Sequence, residues 1–307
     1  MAFTMHSHSG QFCGHAADQL EDIVRHAIAI GFTTMGLTEH MPRHEERDLY
    51  PEELSDAAAS LAAMGPRHQA YLAEAQRLKA KYLSSIHILI GFEAEYIRPS
   101  YGPVVHELAL APCIDYFIGS VHHVHGLPID YDAASYSAAM AAAGGSEILL
   151  YQAYYDLQLQ MLRDLTPRVI GHFDLIRLLS AQPARDVRQW PSVWSRIQRN
   201  LALAAEQGAW IECNTSALRK GLAEPYPCRA IAEEWLRLGG KFTMSDDSHG
   251  IAHVATNYAR GLSYLDSLGV THVCTFKQPS PHSSSTSQKP SLQELAVPLT
   301  EFRKLFS

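Results

Sequence analysis

Ala2-Phe3-Thr4-Met5-His6-Ser7-His8, an amphipathic stretch over 18–31, and then Phe32-Thr33-Thr34-Met35-Gly36-Leu37-Thr38-Glu39-His40 decide the fold. The first run reads as a short buried strand. Alternate residues of a strand share a face, so His6 and His8 aim two imidazoles at one point, about 6–7 Å apart. His15 follows closely. Over 18–31, Leu20, Ile23, Val24, Ala27 and Ile28 keep a 3–4 spacing and Gly31 supplies a stop, which predicts a helix. Residues 32–38 read as the next buried strand, and Pro42 halts regular structure, leaving His40 at the strand's C-terminal end. Strand, helix and strand, with histidine at both strand ends, make a β/α unit whose chemistry lies on one side.

The unit recurs along the chain. A third strand is expected over 86–96, and it contains Glu93 and Glu95. Burying a carboxylate without a partner is unfavourable, so one of the two needs a cation nearby or lies in solvent. The fourth strand, 115–121, ends in His122-His123, and the fifth, 168–172, closes on His172 and runs into Phe173-Asp174-Leu175-Ile176-Arg177. The sixth, 209–214, ends at Asn214 and leads into Thr215-Ser216-Ala217-Leu218-Arg219-Lys220, short hydroxyls and two cations suited to an anion. The seventh, 241–245, enters Asp246-Asp247-Ser248-His249, where Asp247 and His249 repeat the opening i, i+2 pair.

Helices are expected over 51–82 in two pieces broken at Pro66, and over 104–111, 146–165, 192–207, 228–238 and 254–268. A short strand over 272–276 and a short helix within 291–306 complete the chain. The loop over 125–145 has no period, but it carries Asp130 and Asp132 and is placed over a pocket. The Ser/Pro-rich stretch 278–290 reads as a flexible surface insertion in a single domain spanning 1–307.

Composition narrows the function. A length of 307 residues with 47% hydrophobic content suits one large barrel or doubly wound domain. The net charge of −7, with no Lys/Arg cluster, argues against nucleic acid as a partner. No apolar run spans a bilayer and the N-terminus lacks a signal pattern, so a cytoplasmic enzyme with a small-molecule substrate is expected. Five cysteines without a C-x-x-C argue for a reducing compartment. Seventeen histidines are the anomaly.

Many of those histidines gather at strand ends. His6, His8, His40, Glu93, His122, His172, Asn214, Asp247 and His249 fall at C-terminal strand edges, the active face of a β/α barrel. Imidazoles and carboxylates without thiolates suit Zn, Fe or Mn. So many donors suggest several ions with a bridging carboxylate, and clustered ions suit hydrolysis at phosphorus. His26, His44, His68, His87, His106, His253, His272 and His282 lie on helices, at strand starts or in the insertion and read as structural or solvated, His68 as solvated.

Together, H-x-H with a following His, T-E-H, G-F-E, S-V-H-H, G-H-F-D-L, E-x-N-T-S-x-L-R-K and S-D-D-S-H resemble the polymerase and histidinol phosphatase (PHP) superfamily over about residues 4–277. The resemblance implies an α/β fold, a distorted (β/α)7 TIM-like barrel, with three divalent metal ions (Zn, Fe or Mn). It implies a metal-dependent phosphomonoesterase that hydrolyses L-histidinol phosphate in histidine biosynthesis. By that similarity His6, His8, Glu93 and Asp247 hold one ion, and Glu93, as the bridge, holds a second with His122 and His172. His15, His40 and His249 hold a third. Glu93, Asp247 and His249 then stand at the reacting centre. Arg177 and Arg219 are the expected phosphate or substrate contacts, with Lys220 and Asn214 behind them, and His123 either touches substrate or supports the ligands.

Two related chemistries fit less well. An amidohydrolase needs a carboxylated Lys as bridge, and no Lys lies between Lys81 and Lys220. A nuclease of the same superfamily needs a cationic groove, which the net charge opposes. A degenerate, merely metal-binding relative would have lost ligands, and here none is missing.

Overall fold

Seven parallel strands follow one another around the molecule in chain order. They are β1 (Phe3–Thr4), β2 (Thr34–Leu37), β3 (His87–Glu95), β4 (Tyr116–Ser120), β5 (Val169–Ile170), β6 (Trp210–Asn214) and β7 (Lys241–Ser245). Every neighbouring pair is parallel, from Phe3 opposite Thr34 to Ser245 opposite Asn214. The ring closes where Met5 N–H donates to the Met244 carbonyl at 3.1 Å. Just beyond, Ser7 and His8 pair in parallel with Ser248 and His249. The computed structural model describes residues 1–277 and 292–306. The result is the expected (β/α)7 barrel; the 278–290 insertion lies outside the described residues.

Strands buried on both faces carry continuous apolar runs, as in Ile88-Leu89-Ile90 of β3, all fully buried. Eight helices of nine residues or more lie outside the ring among the described residues. They are α1 (Leu20–Ala29), α2 (Ala57–Lys81), α3 (Tyr101–Ala109), α4 (Ala133–Ala142), α5 (Glu147–Leu165), α6 (Pro191–Glu206), α7 (Arg229–Arg237) and α8 (Tyr258–Ser267). None is long and apolar enough to cross a membrane.

Four local expectations are corrected. The 51–82 region does not break at Pro66: a 3-10 turn over Pro51–Asp56 feeds one continuous helix, α2, capped by Asp56. The buried stripe of Met64, His68, Tyr71, Leu72, Ala75 and Leu78 outweighs the single bond that the proline removes. The same stripe buries His68, which was expected in solvent. The 125–145 loop contains α4, with Asp132 accepting from Ser135 N–H at its start. Its Ala-rich sequence offers no polar–apolar contrast for a period to show. The C-terminal segment begins as a strand, Glu294–Pro298, antiparallel to His272–Phe276, before a short helix over Leu299–Arg303. Phe302 of that helix packs edge-on against Phe3 at 5.0 Å and plugs the end of the barrel away from the histidines.

Closure depends on small residues inside the ring. Tyr116 reaches from β4 past Gly36 to donate its hydroxyl to the Met5 carbonyl. A methyl group at Gly36 would lie 2.0 Å from that hydroxyl and 3.0 Å from the Met5 carbonyl oxygen. Gly36→Ala is therefore expected to destabilise the fold by about 1–3 kcal/mol in urea unfolding. Gly65→Ala in α2, where a methyl meets nothing within 4 Å, is expected to stabilise it by about 0.5–1 kcal/mol.

Candidate metal centre

Glu93 stands at the centre of the histidine-bearing rim and is 1% exposed. Its backbone is fixed on both sides, with Glu93 N–H donating to Glu39 O and Met41 N–H donating to Glu93 O, each at 3.0 Å. The two carboxylate oxygens face different groups. Oε2 lies 3.2 Å from His6 Nε2, 3.5 Å from His8 Nε2 and 3.2 Å from His40 Nδ1. Oε1 lies 2.9 Å from His172 Nε2 and 3.3 Å from His122 Nε2. Burial alone would raise the Glu93 pKa, but His6 and His122 override it and hold the carboxyl well below its usual range.

Asp247 completes the first group, with Oδ1 3.4 Å from His8 Nε2 and 3.8 Å from His6 Nε2. It adopts φ +48°, a left-handed conformation that aspartate tolerates better than most residues. Its second oxygen accepts from Ser216 Oγ at 3.2 Å, and its carbonyl accepts from Arg219 at 3.0 Å. Behind the ligands lies a second layer. Glu212 accepts from His6 Nδ1 at 2.7 Å, from His172 N–H at 3.0 Å and from Asn214 Nδ2 at 2.9 Å. A carboxylate on Nδ1 fixes the His6 ring and leaves Nε2 to point at Glu93. Glu39, whose pKa burial pushes up to about 8, accepts from Ser9 N–H and Oγ and lies 3.9 Å from His8 Nδ1.

A further group forms on the side of α2. His15, His40 and His249 approach with ring centroids 5.1–6.2 Å apart. Cys13 Sγ joins them, 3.2 Å from His15 Nε2. Burial would raise this thiol, but hydrogen bonds with His15 and His40 bring it down to about 6. All nine expected ligands, and Cys13, fall into sets whose donor atoms lie within 4.8 Å of one another.

This donor set fits cations. The Nε2 atoms of His6 and His8 are 3.0 Å apart, and those of His122 and His172 are 3.1 Å apart. Buried His8 Nδ1 has no hydrogen-bond partner among the described residues. Lone pairs converging on a shared carboxylate are mutually unfavourable until a cation sits between them.

The expected substrate contacts divide. Arg219 and Lys220 line an open cavity of about 370 Å³ together with seven of the nine expected ligands, all but His6 and His8. Arg177 does not line it: it is buried, bonded to Asp174 at 2.8 Å and to the Pro225 carbonyl at 2.7 Å, and stacked over Tyr226. Asn214 is consumed by Glu212 and by Ser216 N–H. His123 is buried against Tyr50 at 5.4 Å, and burial pulls its pKa down to about 4. His253, expected to be bland, sits on the cavity wall and accepts from His249 N–H at 3.3 Å.

Four features escaped the sequence reading. Glu95 is buried and bonded to Arg43 at 3.0 Å, so its cation is that arginine. Tyr50, Tyr131 and Glu52 line the same cavity as Arg219 and Lys220, as does Asp130 from the loop expected over a pocket. Glu212 and Cys13 are the others. A carboxylate inside the buried run Trp210-Ile211-Glu212-Cys213 was a usable signal for Glu212, by the argument that drew notice to Glu93.

The PHP domain profile matches residues 4–216. A Schizosaccharomyces pombe protein named "Probable histidinol-phosphatase" is 42% identical over 279 residues, 91% of this chain and 90% of that protein. The Saccharomyces cerevisiae histidinol-phosphatase is 30% identical, with 89% of this chain and 91% of that one covered. Among solved structures, a candidate histidinol phosphatase of Listeria monocytogenes superposes with a TM-score of 0.73 at 25% identity, over 84% of this chain and 99% of that one. The histidinol phosphate phosphatase of Lactococcus lactis, complexed with Zn, L-histidinol and phosphate, superposes with a TM-score of 0.65 at 18% identity, over 90% of this chain and 97% of that one.

Loss of a carboxylate that orients a ligating imidazole weakens metal sites about 10- to 100-fold. Glu212→Gln is expected to lower retained metal by that factor in affinity, measured by elemental analysis after equilibrium dialysis. Glu45→Gln, far from the ligands and partly exposed, leaves metal content unchanged.

Proposed function

The chain belongs to the PHP family, and from that premise we propose that it hydrolyses L-histidinol phosphate to L-histidinol and inorganic phosphate with divalent metal ions bound at the rim of the barrel. The observation that carries the reading is Glu93, a buried carboxylate whose two oxygens face separate sets of imidazoles, His6, His8 and His40 on one and His122 and His172 on the other. The names of the fungal relatives, which align over nine-tenths of their length, support the substrate.

We assign Zn, Fe or Mn to three positions. His6, His8, Glu93 and Asp247 would hold the first, Glu93, His122 and His172 the second, and His15, His40 and His249 the third. When bound, such ions acidify water and offset charge on the attacking and leaving oxygens. The protein supplies the rest. Arg219 is braced by the carbonyls of Asp246 and Asp247 at 2.9 and 3.0 Å, which aims its guanidinium along the cavity wall for the phosphoryl oxygens. Lys220 adds a second cation on the same wall.

On the same cavity, Asp130 and Glu52 suit the amine and imidazole of the alcohol, and the stacked rings of Tyr50 and Tyr131, 6.1 Å apart, suit the imidazole face. The cavity thus offers cations for the phosphate and carboxylates for the cationic alcohol.

Chelated enzyme is expected to lose phosphate release from L-histidinol phosphate and to regain it with Zn or Mn; full activity in protein proven metal-free would refute the reading. Asp130→Asn removes a charge-assisted contact of about 1.5–3 kcal/mol. It is expected to lower kcat/KM on L-histidinol phosphate about 10- to 100-fold while changing p-nitrophenyl phosphate turnover little.

A further inference from the structure

Cys13 shares a donor group with His15, His40 and His249, all four ligand atoms lying within 4.8 Å of one another. Around a tetrahedral zinc, sulfur and nitrogen ligands stand roughly 3.6 Å apart, given Zn–S and Zn–N bonds of about 2.3 and 2.05 Å. The Cys13 Sγ to His15 Nε2 distance of 3.2 Å is close to that spacing. The thiol is 6% exposed and all five cysteines are free, so no disulfide competes for it.

The loop that carries Cys13 is tightly pinned. Cys13 N–H donates to the Ser9 carbonyl at 2.9 Å, Gly10 N–H to the Ala17 carbonyl at 3.0 Å, and Ala17 N–H to the His249 carbonyl at 2.9 Å. A methyl at Gly10 would meet the Ala16 carbonyl oxygen at 2.8 Å, so the loop closes only with glycine there. The loop therefore ties Cys13 and His15 directly to the strand that presents His249. The group also has two faces. His15, His40 and His249 open onto the substrate cavity, whereas Cys13 does not line it; with His15 and His40 it lines a second cavity bordered by Met64 and His68 of α2.

We propose that Cys13 is a thiolate ligand of the third ion, closing that position from behind and leaving its cavity side to the substrate. The inference rests on the three-ion reading above. Binding releases the thiol proton to solvent and makes a metal–sulfur bond. A thiolate among imidazoles favours Zn over Mn at this position, while the thiolate-free positions around Glu93 accept both.

The test uses the full chain loaded with cobalt and titrated by near-ultraviolet absorption. A sulfur-to-cobalt charge-transfer band is expected to grow in with the cobalt ion that fills the third position. It should vanish in Cys13→Ser and persist in Cys113→Ser. Affinity for that ion is expected to fall on the order of 10- to 100-fold in Cys13→Ser, and the zinc-to-manganese ratio at full loading should fall with it. Three bound cobalt ions without the band in the wild-type protein would overturn the role of Cys13 and leave the three-ion reading standing. Two bound ions and no third would overturn both. The wild-type band needs no variant, so a folding defect in Cys13→Ser does not blunt the test.

Discussion

A nearly fully buried carboxylate, hemmed by imidazoles on both oxygens, governs this structure. Among the described residues Glu93 has neither arginine nor lysine beside it, in contrast to Glu95 two residues on, which Arg43 neutralises. In a low-dielectric interior an ionised carboxylate without a compensating charge is expensive. Neutral imidazoles with lone pairs turned inward do not relieve it, and protonated ones would repel each other. Metal ions relieve both problems at once, since they accept every lone pair and balance Glu93 and Asp247 together.

The barrel supplies what that arrangement requires. Each parallel strand ends at the same rim, so donor groups separated by as many as 241 positions, on His6 and Asp247, come within 3.8 Å. The seam between β1 and β7 is itself part of the site: the parallel pairing of Ser7–His8 with Ser248–His249 registers the first and last ligand pairs against each other. Stability and chemistry share that seam, because the hydrogen bonds that close the ring also set the spacing of the donors. Behind them Glu212 couples His6, His172 and Asn214 on three strands into one bonded unit.

Much of this was legible in the sequence for a physical reason. Doubly buried strands give unbroken apolar runs, and a polar residue closing such a run is conspicuous, which is how His40, Glu93, His122, His172 and Asp247 drew notice; His15 follows no strand and stood out only through the family resemblance. What escaped notice lacked contrast. An alanine-rich helix has no polar face, so α4 read as a loop. Arg177 and Arg219 both follow a strand end, and only the fold shows that Asp174 and two carbonyls consume the first while the second keeps the cavity. Cys13 and Glu212 were passed over because one was counted only for disulfides and the other sat inside a run that looked wholly apolar. His253 reached the wall through a turn that periodicity does not describe.

The central claim is that Glu93 bridges two bound ions. Anomalous diffraction from zinc-loaded crystals, collected on both sides of the zinc edge, addresses it most directly. The account predicts one peak beside each Glu93 oxygen, the first among His6, His8 and Asp247 and the second between His122 and His172, with a third peak among His15, His40 and His249. A map with no anomalous density at either oxygen of Glu93 in protein that turns over L-histidinol phosphate would contradict it.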